Sequence, residues 1–193
     1  MNSMDKLRVA GLVAAVGMAP MAALAESSSD TGARGLSATA RLNLSVRIPA
    51  FLYFQVGTAG ATIDQITFSP TDGEVGSGTP IAGLGGDAAG GSGANVVLRS
   101  NGGPITITAT NDGGSGGLGT GGGISLTEIT TTSDDADFPA PALTDGGRDT
   151  SSPAVTTGNV TDRAAVWTYS YQNTTTPASG TYSAQITYTA SSL

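Results

Sequence analysis

The chain has 193 residues with 29 glycines, no cysteine, no histidine and a formal net charge of −7. Without histidine, and with Lys6 as the sole lysine, it lacks His-assisted nucleophiles, imidazole metal ligands and, beyond the first few residues, Schiff-base or isopeptide lysines. The acidic balance disfavours nucleic acid and anionic lipid as partners, and the absence of cysteine leaves stability to packing or to partners rather than to disulfides.

Lys6 and Arg8 flank the start of an apolar run, Val9 to Ala22, and Ala23-Leu24-Ala25 supplies small residues at the positions a signal peptidase reads. The run is shorter than the roughly 20 residues of a membrane span. Residues 1–25 are therefore expected to be a cleaved signal peptide, giving an exported chain with no membrane span in its mature part. Abundant Thr, Ser and Gly with few strong helix formers points to an all-β extracellular domain.

Residues 36–48, LSATARLNLSVRI, alternate strictly. Leu36, Ala38, Ala40, Leu42, Leu44, Val46 and Ile48 are apolar; Ser37, Thr39, Arg41, Asn43, Ser45 and Arg47 are polar. Successive strand side chains point to opposite faces, so the segment reads as a strand with one oily face. At about 3.3 Å per residue it would span roughly 43 Å, far beyond the usual strand of about 5–6 residues. Such a strand needs a groove, its own or a neighbour's.

Further strands follow in order. Residues 50–56 (AFLYFQV) are nearly all apolar, which suits a strand covered on both faces. Residues 63–69, 95–99, 104–110 and 124–130 come next, with Ser100-Asn101-Gly102-Gly103 read as a hairpin turn. Residues 164–171 place Ala165, Trp167, Tyr169 and Tyr171 on one side. Residues 181–190 do the same with Tyr182, Ala184, Ile186, Tyr188 and Ala190. Trp167, the sole tryptophan, is expected in the core rather than on a sugar-stacking platform.

The glycine-rich zones 57–61, 73–93 and 113–123 read as flexible surface loops, since no Gly-Lys-Ser/Thr and no helix follows them as a phosphate cradle requires. Glu128, Asp134, Asp135, Asp137, Asp145 and Asp149 form an acidic stretch whose spacing does not fit an EF-hand. A solvated loop is the expectation, and calcium the sharper alternative. The triplets at Asn43, Asn159 and Asn173 match the glycosylation pattern, a match that a Thr-rich chain produces by chance. A carboxylate pair is the one catalytic route left, and nothing singles one out, so no enzyme activity, metal or cofactor is expected.

Short strands separated by turn signals describe an immunoglobulin-like antiparallel β-sandwich. With a one-sided N-terminal strand joined through Pro49, and with Gly180 ahead of an alternating C-terminal strand, the chain resembles the subunits of chaperone–usher pili. The order LNLSVRIPAFLYFQVG, ITFSP, NVVLRSNGGPITITATN, GTYSAQITYTA is most similar to the cysteine-free colonisation-factor pilins. It departs from the wider family at Ser192, where a penultimate Tyr is common.

The resemblance implies an incomplete, pilin-type sandwich over 49–193, completed by a donor strand from another subunit. The extension 26–48 would be the donor, with Leu36, Ala38, Ala40, Leu42, Leu44, Val46 and Ile48 entering a groove beside the C-terminal strand, at Tyr182, Ala184, Ile186 and Tyr188. It further implies a fimbrial structural protein serving adhesion or biofilm formation. Its partners would be copies of itself or related pilins, a periplasmic chaperone and an outer-membrane usher, and it would pass through the periplasm to the cell surface. The alternatives from other classes are a self-contained secreted sandwich that binds glycans or Ca2+ through its loops, and an outer-membrane barrel. The barrel is disfavoured by short strands and a terminal Leu193.

Overall fold

The computed structural model describes residues 27–112, 116–119 and 123–192. The expected signal peptide, 1–25, lies outside them. The chain divides into two units, Met1–Ile48 and Pro49–Leu193. Among the described residues no helix is long and apolar enough to cross a membrane.

The second unit is all-β and antiparallel. Its strands are β1 (Leu52–Val56), β2 (Ile66–Thr67), β3 (Ile81–Ala82), β4 (Leu84–Gly85), β5 (Gly93–Ser100), β6 (Ile105–Asn111), β7 (Ile129–Ser133), β8 (Arg148–Ser151), β9 (Thr161–Tyr171) and β10 (Ile186–Ser192). One sheet runs β1-β5-β9, with β3 and β7 also pairing the end of β9. The other runs β10-β6-β8, and β2 pairs β4 separately.

The two sheets face one another in a sandwich-type arrangement. Val96 and Leu98 of β5, Ala165 and Trp167 of β9, and Ile105 and Ile107 of β6 share one buried cluster with Phe138. A second cluster joins Ala109, Leu126, Ile129, Leu143 and Tyr171. Each strand contributes alternate residues, so the period of two in the sequence becomes a common core. Trp167 is fully buried, edge-on to Phe138 at 5.7 Å, with its indole N–H donating to the Phe138 carbonyl (3.3 Å).

Four expectations are corrected. Residues 100–103 are not a hairpin turn: β5 and β6 lie in different sheets. Between them β1 and β9 occupy both edges of β5, leaving no place for β6 there. Residues 50–56 are not covered on both faces; β1 is an edge strand, with Phe51, Leu52 and Tyr53 exposed.

The glycine-rich zone 73–93 is not simply loop, since it contains β3 and β4. Gly83 and Gly93 there are buried against the backbone of β9: the Gly83 N–H donates to the Tyr169 carbonyl (2.9 Å), and a Cβ on Gly93 would strike the Trp167 carbonyl. Finally, residues 124–130 begin with a 3-10 turn, Leu126–Glu128, capped by the Ser125 side chain, and the strand starts only at Ile129.

Trp167→Ala leaves a void between the sheets. It is expected to lower unfolding free energy by about 3–5 kcal/mol, read as a shifted urea midpoint with little change in slope.

Candidate functional site: an open seam between two edge strands

The sandwich has two flanks, and they are built differently. On one, the chain between β7 and β8 folds inward. Phe138 and Leu143 of that connection are buried in the two core clusters, and Ser133 Oγ donates to the Phe138 carbonyl (2.8 Å). Arg163 of β9 fastens the same connection, its guanidinium lying 3.7 Å from Asp135 and 3.2 Å from Asp137. Asp134 adds a further tie, accepting from the Val166 N–H (2.7 Å).

The other flank has no such seal among the described residues. It is bounded by β1, which pairs only β5, and by β10, which pairs only β6. The two strands approach each other across the gap between the sheets. Phe54 and Val56 on β1 and Tyr188 and Ala190 on β10 pack against the core cluster, yet all four are only half-buried. Leu52, on the inward side of β1, is 41% exposed. The seam therefore has apolar side chains along its floor and walls, with unpaired backbone on both edges. That is the combination natural sheets normally cover or disrupt with charge.

Tyr188 ties this edge to the opposite sheet. Its ring lies 5.4 Å from Trp167, and its hydroxyl is 3.2 Å from that of Tyr169 on β9. Burial pushes the Tyr188 hydroxyl well above the ordinary tyrosine range, the neighbouring Tyr169 adding to the effect. Burial also raises Tyr169, partly offset by the same hydroxyl contact.

Of the residues expected along the groove, Ile186 and Tyr188 lie on β10 and are half-buried. Tyr182 and Ala184 precede it. There the chain meets the glycine-rich segment at isolated points, the Gly119 N–H donating to the Ser183 carbonyl and the Asp112 N–H to the Gln185 carbonyl (both 2.9 Å). The Tyr182 ring occupies the space that Gly119 and Gly123 leave open, and its hydroxyl donates to the Ala178 carbonyl (2.7 Å). The strand thus begins at Ile186 and runs on to Ser192, so Ala190 belongs to the wall and Tyr182 does not.

The other wall, Leu52, Phe54 and Val56, was not anticipated. Its signal was present in the unbroken apolar run after Pro49, which reads equally as a strand buried on both faces.

In the first unit, Leu36, Ala38, Ala40, Leu42, Leu44, Val46 and Ile48 are all exposed, and residues 36–48 form no strand. Leu42, Leu44, Val46 and Ile48 are 81%, 85%, 86% and 76% exposed. Among the described residues no strand pairs with this segment, so the alternation exists here without the sheet it suits. Near its start the Ser37 N–H donates to the Asp30 carboxylate (3.1 Å).

The acidic stretch is dispersed over structural tasks. Besides Asp134, Asp135 and Asp137, Glu128 accepts from the Thr174 N–H (2.9 Å), Asp145 from the Leu126 N–H (2.7 Å) and Asp149 from the Thr144 hydroxyl. No group of three potential metal ligands occurs among the described residues. A shallow recess lined by Ala109, Leu126, Leu143 and Ile186 is open to solvent and too small to hold a small-molecule ligand. Comparison with known protein families, curated proteins and solved structures finds no match to this chain.

The tyrosine pair gives the domain an alkaline limit. Their raised folded-state values mean that the native state keeps protons the unfolded chain releases above about pH 10. Stability is complete below that pH and falls as pH rises through the folded-state values. Alkaline unfolding followed by Trp167 fluorescence should show tyrosinate absorbance rising together with the unfolding transition, and Tyr188→Phe should move the midpoint to higher pH.

Proposed function

We propose that the chain is a structural subunit of an extracellular fibre, an immunoglobulin-like, pilin-type sandwich lacking one strand, assembled by donor-strand exchange. Residues 36–48 of one subunit insert between β1 and β10 of the next. The observation that carries this reading is chemical complementarity within one sequence. One segment presents an alternating apolar face to solvent, and one seam presents a half-buried apolar lining between two edges that each lack a partner.

Burying Leu42, Leu44, Val46 and Ile48 contributes about 1.5–3 kcal/mol each, or about 6–12 kcal/mol together as an upper estimate. Hydrogen bonds along both edges of an inserted strand add to this. Head-to-tail repetition of a heterologous contact gives an open filament rather than a closed ring. Before assembly the same seam is an aggregation hazard, which fits capping by a periplasmic chaperone and delivery through an usher to the cell surface. Arg41 and Arg47 fall on the polar side of the donor. The fibre would serve adhesion or biofilm formation.

Leu44→Asp removes about 2–3 kcal/mol of burial and forces a carboxylate into an apolar slot. Export should continue while fibres vanish from electron micrographs. Deleting residues 26–48 should leave a folded subunit that cannot polymerise yet binds a synthetic 36–48 peptide. Fibres that persist in Leu44→Asp, or a deletion that unfolds the domain and ignores the peptide, would favour a self-contained binding module instead.

A further inference from the structure

Resting on the fibre reading, we infer that Asn101 is a tension anchor, a positioning residue that fastens the root of the donor segment to the central strand β5. In a donor-strand fibre, pull passes from the seated donor through Pro49, Ala50 and Phe51 into β1. An edge strand held on one side opens one pair at a time from a loaded end, and the first pair here is Leu52 with Ser100. Ahead of that pair lies a knot of bonds made mostly by side chains.

The Asn101 side chain donates through Nδ2 to the Pro49 carbonyl (2.9 Å) and accepts through Oδ1 from the Phe51 N–H (2.8 Å). The Phe51 carbonyl in turn accepts from Ser100 Oγ (3.0 Å) and from the Asn101 N–H (3.4 Å). Ser100 Oγ also receives the Gly102 N–H (3.0 Å), which fixes the turn that carries Asn101.

The chemistry is specific. Only a side-chain amide offers a donor and an acceptor side by side to bracket a three-residue stretch, and Pro49, lacking an N–H, presents just its carbonyl there. The anchored stretch leads straight to β5, which is paired along both edges and supplies Val96 and Leu98 to the core. Force entering at Pro49 is therefore shared among several bonds to the best-held strand, instead of prising Leu52 from Ser100 alone.

The test applies force to the full chain, so it does not require fibres to form. The chain has no native cysteine, so introduced ones are unique handles. One geometry uses Ser37→Cys with a cysteine added after Leu193, so load enters through Pro49. The other uses Leu84→Cys, at an exposed position, with the same C-terminal handle.

Under constant force in the first geometry, Asn101→Ala should shorten the lifetime before the first extension step by about tenfold, as expected for losing one or two hydrogen bonds. Asn101→Asp, which keeps the acceptor for Phe51 and loses the donation to Pro49, should fall between. In the second geometry the change should stay within about twofold. Equal losses in both geometries would make Asn101 an ordinary stabilising residue, and no loss in the first would remove the anchor; either result overturns the inference. If the fibre reading is wrong, that shows separately, as wild-type chain that never polymerises.

Discussion

A strand is complete only when its backbone groups are paired and its apolar face is covered, and that requirement organises this domain. β5 and β9 come nearest to meeting it at the centre of the larger sheet, β5 between β1 and β9, and β9 with β5 along most of one side and β7 on the other from Trp167 to Tyr171. β6 meets it in the smaller sheet, between β10 and β8. The outer strands do not, and the two flanks handle the deficit in opposite ways. One is plugged by Phe138 and Leu143 and tied down by Arg163 and Asp134. The other leaves β1 and β10 with apolar side chains half in water.

The same economy explains the polar residues. With no disulfide available, connections are held by side chains capping backbone groups. Asp134 serves Val166, Asp145 serves Leu126, Glu128 serves Thr174, and Asn173, buried at a φ of 56°, accepts from the Gly76 N–H and donates to the Glu74 carbonyl. Each of these links elements far apart in the chain, so folding places them together only once the sheets have formed. Carboxylates that look like a ligand cluster in the sequence are therefore spread around the domain.

Much of the strand content was legible. Alternation in 164–171 put Ala165, Trp167, Tyr169 and Tyr171 on one face, and these are the residues of β9 that turn to the core. What failed was pairing. A period of two reports that one face is covered but says nothing of which strand lies alongside, so the 100–103 turn looked like a hairpin although it crosses between sheets. An all-apolar run such as 50–56 is equally ambiguous between a central strand and an edge strand beside an open seam. Glycines misled for a further reason. Those at 83 and 93 mark close backbone approach rather than looseness, and only packed neighbours distinguish the two.

By itself the sequence determined the chemistry of the parts. It set the oily alternation of 36–48, the aromatic and β-branched faces of β9 and β10, and the absence of side chains for disulfides or imidazole chemistry, because these follow from residue identity and the geometry of an extended chain. Tertiary structure decided which edges were left without a neighbour. Only folding shows that β1 and β10 border the same seam, that the far flank is closed, and that Asn101 reaches across a turn to Pro49 and Phe51, because each depends on contacts between residues far apart in the chain, from 29 positions for Trp167 with Phe138 to 52 for Asn101 with Pro49.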